Sequence, residues 1–246
     1  MTASVRLMNL EAEDIQQSRM ELAAACRIAA ALGMHEGIAN HFSLAVGDDG
    51  ARFLINPDRV HFLNVRASNL LLLDANDPDT MSQPNAPDPT AWGLHGPIHR
   101  HCPHARCVMH LHPVYGTVLA SLADSTLQPI DLNTAMFFRR HTTDEGIGGL
   151  AFEDEGERCA KLLADRQVKV LVMCNHGVLV LGESVADAFH RMYYFERACE
   201  TYIKALQTGR PLRVMPDGLA NRIARELEDY PDQAEQHFAQ LTSLHA

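Results

Sequence analysis

Two histidines one residue apart, His110 and His112, end a short run of strand-forming residues that begins at Cys107 and is closed by Pro113. Because side chains alternate between the two faces of a strand, both imidazoles should point to the same side. Two neighbouring imidazoles provide half of the ligands of a divalent transition-metal site. Taken alone, the pair is more typical of two polar residues on a half-buried strand.

A third histidine occupies an equally unusual position. His176 stands between Asn175 and Gly177, and β-prone runs on both sides predict a tight turn between two strands. Asn and Gly tolerate the backbone dihedrals of such a turn, so an imidazole there is easily aimed. A lone turn histidine would be a surface polar group. Together with His110 and His112, however, it predicts a metal site with three histidine ligands on one face.

Hydrophobic periodicity and turn residues predict the elements that must position these histidines. The predicted strands are 38–46 and 52–55, joined by a hairpin turn at 47–50, together with 107–112 and the runs before and after His176. The predicted helices are 11–32, 91–101, 113–123, 155–165 and 185–207. The last of them should be capped by Ser184, with Asp187 three residues on.

The remaining segments are predicted to be irregular or peripheral. Residues 75–90, rich in Asp, Asn and Pro, should form a long loop of the kind that is often functional, and 125–150 should be irregular. The tail from Asp217 should carry one or two amphipathic helices, which either pack on a neighbouring subunit or are exposed to solvent. Three further histidines are expected on the exposed side of helix 91–101 and the loop after it: His99, His101 and His104.

Composition limits the classes of protein to which the chain can belong. Its 246 residues suffice for one sizeable α/β domain, and a hydrophobic content of 46% supports a substantial core. A net charge of −10 argues against nucleic-acid and anionic-membrane partners. Neither a signal peptide nor a membrane-spanning stretch is evident, and the six cysteines lack CxxC spacing. We therefore expect a cytoplasmic protein with reduced cysteines in its core.

Four motifs, in this order and spacing, resemble those of the class II aldolase/adducin family, and the resemblance extends from the first helix to about Leu206. The motifs are Glu36–Ser43, Phe53–Pro57, the stretch from His95 to Pro113, and Asn175–Val178 followed by a helix that carries Phe195–Arg197. Enzymes of this family bind their metal through the His-x-His pair and the histidine of the Asn-His-Gly turn. The resemblance thus implies His110, His112 and His176 as metal ligands.

The resemblance also implies a fold and an assembly. We expect an α/β protein: a single-domain α/β/α sandwich with a central, largely antiparallel sheet. The single domain should span 1–246, with a core at about 11–209 and a C-terminal helical tail at 217–246. Zinc is the expected ion, although manganese, iron or cobalt would suit the same ligands. A homotetramer that binds a small-molecule substrate is expected from the family alone.

One position departs from the family pattern. The aldolases carry a Glu, and the epimerase an Asp, four residues before the histidine that matches His95, whereas this chain has Ala91. A retro-aldol step needs a group that takes the hydroxyl proton and a metal that stabilises the enediolate. Ala91 can supply neither a proton acceptor nor a ligand, which argues against ordinary aldolase chemistry.

The phosphate-binding positions of the family are also altered. Their counterparts are His41, the pair Asp58–Arg59 and the pair Pro89–Thr90. Pro89 has no backbone donor, and Asp58 would repel a phosphate. A carboxylate bound by the forked guanidinium of Arg59, with His41 and Thr90 nearby, fits these positions better. Arg59 is just as readily an ordinary surface arginine.

Several other residues are candidates for chemistry, each with a structural alternative. His95, one helical turn after Ala91, is a candidate for approaching metal-bound water, or it is a structural residue. Tyr115 is a candidate general acid or a core residue. Trp92 is a candidate wall of the substrate pocket or an anchor for its helix. Glu196 is more typical of a paired structural carboxylate, and the segment 137–140 is a candidate for closing a site at a subunit border.

The sequence therefore predicts a metal-dependent lyase that acts on a small oxygenated carboxylic acid, with decarboxylation as the favoured reaction. One alternative is a divergent aldolase that takes its acid–base group from elsewhere. A second alternative, of a different class, is an adducin-like interaction module without catalytic activity.

Overall fold

The computed structural model describes residues 3–47, 50–146 and 153–245. The strands are β1 His41–Ala45, β2 Arg52–Ile55, β3 Leu71–Asp74, β4 Cys107–Leu111, β5 His141–Asp144, β6 Val170–Met173 and β7 Gly177–Gly182. The helices are α1 Ala3–Ala31, α2 Pro89–His101, α3 Val114–Ala120, α4 Leu132–Met136, α5 Glu153–Leu162, α6 Val185–Gln207, α7 Asp217–Glu228 and α8 Gln233–Leu244. Two short 3₁₀ turns lie at Phe62–Asn64 and Thr80–Ser82.

The strands form one seven-stranded sheet in the order β3-β2-β1-β4-β7-β6-β5. Each neighbouring pair is antiparallel except β5 and β6, which are parallel and are joined through α5. Helices α1, α3 and α6 cover one face of the sheet, and α2 and α5 cover the other. The predicted α/β/α sandwich with a largely antiparallel central sheet is therefore confirmed.

The side chains of the central strand β4 alternate between the two faces of the sheet. Cys107, Met109 and Leu111 point into the apolar core beneath α1 and α6. Val108 faces the core beneath α2 and α5, and His110 follows it on that side by the alternation of the strand. His110 is also paired in register with His41 on β1. His110 thus lies on the α2 side of the sheet.

Several boundaries differ from the sequence prediction. The first helix begins at Ala3 instead of residue 11, and the segment 125–150, expected to be irregular, contains α4 and β5. Strand β3 was not predicted at all, because the loop that follows it dominates the sequence pattern. The hairpin of β1 and β2 is confirmed, although residues 48–49 of its turn lie outside the described residues. Ser184 caps α6 as predicted, by accepting the N–H of Asp187.

The expected exposure of His99 is wrong. His99 is 2% exposed, because it lies one helical turn after His95 on the face of α2 that packs against the sheet. His101 is exposed, as expected, and His104 is half-buried.

The C-terminal tail forms two helices, and both pack on their own chain. Phe238 of α8 lies against Phe189 of α6, with ring centroids 5.7 Å apart. At α7, Glu228 receives two hydrogen bonds from the guanidinium of Arg140, at 2.7 and 2.8 Å. Both helices of the tail therefore contact the rest of their own chain, and packing of the tail on a neighbouring subunit stays a prediction.

Candidate metal centre

Three histidines meet at one end of the sheet. Nitrogens of His110, His112 and His176 lie within 4.8 Å of one another, and the Nε2 atoms of His110 and His112 are 3.0 Å apart. Strands β4 and β7 are hydrogen-bonded neighbours, so the end of β4 and the turn before β7 fall side by side. The structure thus brings together the three histidines that the sequence proposed as ligands.

The turn that carries His176 depends on the residues on either side of it. Asn175 has a φ of 55°, in the left-handed region that Asn adopts more readily than most residues, and its N–H donates to the carbonyl oxygen of Ala120 at 2.9 Å. Gly177 packs tightly against β4: a Cβ built on it would lie 2.5 Å from Cδ2 of His112. A larger residue would therefore push the turn away from the pair of histidines.

Two of the imidazoles are oriented by hydrogen bonds on the side away from the centre. Nδ1 of His110 lies 3.1 Å from the carbonyl oxygen of Val178 and donates to it. Nδ1 of His112 is hydrogen-bonded to the carboxylate of Glu36. Because Nδ1 carries the proton in this arrangement, Nε2 presents its lone pair to the centre. Neutral imidazoles with converging Nε2 atoms form a donor set that fits a divalent transition metal.

The centre opens into a cavity of about 490 Å³. Of the residues proposed for substrate binding, His41, Arg59 and Thr90 line it, as does Ala91 at the position of the missing carboxylate. The other lining residues are Ile38, Ala39, Asn40, Asn56, Pro57, Asp58, Asp88, Leu94, Asn175 and the three histidines of the centre.

The charges around the cavity are unevenly distributed. Among the described residues that line it, Arg59 is the one permanent cation, whereas Asp58 and Asp88 are both acidic. Arg59 is largely exposed, and its Nε lies 3.3 Å from the carboxylate of Asp58. Asp88 caps α2 by accepting from two backbone N–H groups, and it also holds the hydroxyl of Thr90. The hydroxyl of Thr90 is therefore already engaged within the protein.

Behind the cavity wall, a buried chain of hydrogen bonds runs from His41 into the sheet. Nδ1 of His41 lies 2.8 Å from Nε2 of His95, whose Nδ1 is hydrogen-bonded to the hydroxyl of Ser43. The same hydroxyl is 2.7 Å from Nε2 of His99. The chain can be polarised in either direction, and reversing it changes Nε2 of His41 from a donor into an acceptor. His41 also stacks on His110, with ring centroids 4.8 Å apart.

Burial keeps these imidazoles neutral. Loss of solvation holds the pKa of His41, His95 and His110 well below the ordinary value, and neighbouring histidines lower it further. Burial lowers the pKa of His99 to about 3. For His112, burial also lowers the pKa, and the hydrogen bond with Glu36 opposes it. Neutral rings are the form that both metal binding and the hydrogen-bond chain require.

The structure places the other candidates away from the cavity lining. His95 is fully buried and reaches the cavity only through His41. Trp92 packs with Phe53 and its neighbours in a small core cluster, in keeping with its role as a helix anchor. The ring of Tyr115 lies under the ammonium of Lys204, 5.4 Å from it.

Glu196 and the segment 137–140 have structural surroundings. The carboxylate of Glu196 accepts the backbone N–H groups of Tyr115 and Gly116, each at 2.8 Å, and burial raises its pKa. Phe137 is buried against Phe195, and Arg140 is held by the tail, whereas Arg139 is exposed and pairs with Asp217. A role for this segment at a subunit border stays a prediction.

Two acidic residues near the centre were missed by the sequence analysis as functional candidates. Glu36 lies in the first motif, and Glu155 lies near the start of α5, 3.6 Å from Nδ1 of His176. Gly156, beside Glu155, could have indicated that this part of α5 packs closely on another element, because a glycine within a helix often marks a close approach of two backbones. A Cβ on Gly156 would lie 2.0 Å from the carbonyl oxygen of Gly93 on α2.

Fold and site together define an α/β protein with a three-histidine centre in a cavity at the end of a mainly antiparallel sheet. The family profile described as "Class II Aldolase and Adducin N-terminal domain" matches residues 20–203, and the chain belongs to this family. The resemblance inferred from the sequence motifs is therefore confirmed.

Three comparisons illustrate the relationship. A Pseudomonas aeruginosa protein named after class 2 aldolases is 32% identical over 81% of this chain and 76% of its own length. Decarboxylase NovR from Streptomyces niveus is 28% identical over 83% of this chain and 75% of its own length. The crystal structure of an aldolase II superfamily protein from Pseudomonas syringae superposes with a TM-score of 0.82 at 27% identity, covering 94% of this chain and 92% of that one.

Within the described parts of the chain, every helix is too short or too polar to cross a bilayer.

Proposed function

We propose that this protein is a divalent-metal lyase that removes carbon dioxide from a small oxygenated carboxylic acid. The observation that carries the proposal is the combination, in one cavity, of three histidine ligands and a single arginine with an alanine where aldolases place their carboxylate. The similarity to Decarboxylase NovR supports the same reaction class.

The residues of the cavity suit such a substrate. Arg59 would bind a carboxylate or a second oxygenated group of the substrate, and Ala91 leaves room beside the centre. A divalent metal held by His110, His112 and His176 would polarise a substrate oxygen and so favour the departure of carbon dioxide. The bond to the carboxyl carbon breaks, its electron pair remains on the neighbouring carbon, and that carbon then takes a proton.

His41 is the residue that we assign to proton handling. It lines the cavity, and its Nε2 is free to face the substrate because Nδ1 is bonded to His95. His95 is then a positioning residue that acts through His41. This assignment replaces the interpretation in which His95 itself approaches metal-bound water, and it leaves no role for Tyr115.

Sugar phosphates fit the cavity poorly. Asp58 and Asp88 would repel a phosphate dianion, and the hydroxyl of Thr90 is occupied by Asp88. A divergent aldolase would also have to find a substitute for the carboxylate at Ala91. The adducin-like alternative gains no support from a site whose three ligands remain together, with Glu36 in place behind His112.

Zinc is the ion that we propose, since neutral imidazoles arranged in this way are typical of its catalytic sites. We also propose a homotetramer as the functional assembly, by analogy with the family.

The test combines metal content with a substrate screen. Wild-type protein and a His112→Ala variant would be analysed for bound metal, and both would be assayed for carbon dioxide release from a panel of hydroxy and keto acids. We expect the wild type to retain about one ion per chain and to release carbon dioxide from at least one acid. We expect the variant to lose both properties, because two imidazoles bind much more weakly than three.

A His101→Ala variant serves as the matched control, because His101 is exposed on α2 and contacts Glu157 outside the cavity. Equal metal content in the wild type and His112→Ala would refute the centre. Efficient cleavage of a phosphorylated sugar, with no release of carbon dioxide from any acid, would refute the reaction.

A further inference from the structure

Glu155 is a buried carboxylate whose surroundings do not account for its charge. Its residue exposure is 6%, and its Oε2 has no hydrogen-bond partner among the described residues. Carboxylates are rarely buried without partners, because the loss of solvation is costly. A group of this kind in a folded protein points to a role outside the stability of the fold.

The neighbouring arginine does not provide the missing partner. Arg158 donates two hydrogen bonds to the carboxylate of Asp144, at 2.8 and 2.9 Å, and so has its charge matched there. It lies 3.8 Å from Oε1 of Glu155, which is too long for a hydrogen bond.

The other near neighbour is a residue of the metal centre. Oε1 of Glu155 is 3.6 Å from Nδ1 of His176, slightly beyond hydrogen-bond range, so a small rotation of either side chain would join them. Nδ1 of His110 and Nδ1 of His112 already have acceptors. His176 is thus the one member of the centre whose Nδ1 faces an acceptor that is close but not yet bonded.

The backbone fixes Glu155 in this position. Gly156 lies against the carbonyl oxygen of Gly93, so α5 packs on α2 at a distance that no larger residue would permit. This close approach brings the first turn of α5 to the metal end of the sheet. The buried position of Glu155 therefore follows from the packing of two helices and not from a flexible side chain.

Resting on the proposed metal centre, we propose that Glu155 is a positioning residue: its carboxylate accepts the Nδ1 proton of His176, which fixes the ring with Nε2 towards the ion and strengthens it as a donor. Carboxylates behind metal-binding histidines commonly act in this way, and their loss lowers metal affinity about 10–100-fold. The same negative charge offsets part of the charge of a divalent ion held by three neutral ligands.

The test measures Zn²⁺ binding directly, by competition with a chelating dye and without substrate. We expect Glu155→Ala to weaken Zn²⁺ binding about 10–100-fold. Glu155→Gln keeps an acceptor oxygen but no charge, and we expect it to recover part of the loss. Glu157→Ala is the matched control, since Glu157 lies on the same helix and its carboxylate contacts Arg100 and His101 instead of the centre.

A second measurement separates positioning from a structural role. Unfolding by urea in the presence of excess chelator would compare Glu155→Gln with the wild type. If Glu155 serves the ion, the variant should be at least as stable as the wild type, because it removes a buried charge that lacks full compensation. If Glu155 merely supports the fold, the variant should lose stability and keep its Zn²⁺ affinity.

The proposal is overturned if Glu155→Ala binds Zn²⁺ as tightly as the wild type. It is also overturned if Glu155→Gln loses stability and keeps its Zn²⁺ affinity. Should Glu155→Ala fail to fold, the isosteric Glu155→Gln variant decides the question alone. Failure of the wild type to bind Zn²⁺ or another divalent ion would instead refute the proposed metal centre, so the two failures are distinguishable.

Discussion

The two faces of the central sheet are packed with different chemistry. Beneath α1 and α6, the side chains of β4 are Cys107, Met109 and Leu111, within a large apolar cluster. On the opposite face, His41 and Ser43 of β1 and His110 of β4 lie against α2. Polar groups are tolerated there because each is bonded to another, and the row ends in the cavity. The comparison teaches that the side chains of β4 beneath α1 and α6 are entirely apolar, whereas the opposite face combines an apolar cluster with a polar row that leads to the site.

The largest effect should come from the apolar face. Met109→Ala removes a fully buried side chain, and we expect the free energy of unfolding to fall by about 2–5 kcal/mol. Zn²⁺ affinity of the folded variant should stay unchanged, because Met109 points away from the centre. Urea unfolding and dye competition would measure the two quantities. Met109→Leu is the control, and its free energy of unfolding should fall by less than about 1.5 kcal/mol. A large loss of Zn²⁺ affinity in either variant would contradict the division between the two faces of the sheet.

A smaller effect is expected where α5 meets α2. Gly156→Ala places a methyl group against the carbonyl oxygen of Gly93, so α5 must move, and we expect a loss of about 1–3 kcal/mol in the free energy of unfolding. Zn²⁺ binding should weaken as well, because Glu155 moves with the helix.

The control for that substitution is Gly218→Ala. Gly218 also lies in a helix, α7, but has no atom within 4 Å of the position of a new Cβ. This variant should be as stable as the wild type or slightly more so, because Ala is the better helix former. Equal stability of the two variants would show that the contact of α5 with α2 is not tight.

The smallest effect expected is a pH dependence of stability that arises from His99, on the α2 side of the sheet. His99 has a pKa of about 3 in the folded protein, whereas an unfolded histidine titrates near 6.5. The unfolded state therefore binds more protons between these values, and stability should fall as the pH drops below about 6.5, by up to about 1.4 kcal/mol per pH unit for this residue. At pH 5, protonation of His99 in the unfolded state should lower the free energy of unfolding by about 2 kcal/mol.

His99→Gln should make this dependence less steep, because Gln does not titrate, while His41, His95 and His110 keep their own contributions. Urea unfolding at several pH values between 7 and 5 would measure the slope. The exposed His101→Gln variant should keep the slope of the wild type. An unchanged slope in His99→Gln would show that protonation of His99 is not what couples stability to pH.

The three-histidine cluster could be predicted because its signals are local. Alternation along one strand places His110 and His112 on the same side, and two flanking residues mark the turn of His176. The layered fold could be predicted from the family motifs, and the long helix α6 from its cap and periodicity.

The residues behind the ligands could not be predicted in the same way. Glu155 lies in the first turn of an acidic helix that resembles a solvated one, and its contact with His176 depends on how closely two helices pack. His99 looked exposed because Arg100 and His101 follow it, although the i, i+4 spacing from His95 was available as a signal. Strand β3 is only four residues long and is followed by a loop rich in Asp, Asn and Pro, which dominates the sequence pattern there.

The strand order also governs when the centre can assemble during folding. β4 pairs with β1 on one side and with β7 on the other, and both partners are distant in sequence. Closing such long loops costs entropy before the contacts between the strands are gained, so we expect these pairings to form late and slowly. His112 and His176 meet only once β4 and β7 have paired. The three-histidine cluster therefore assembles only with the completed sheet, and we expect the appearance of metal binding in a refolding experiment to time that event.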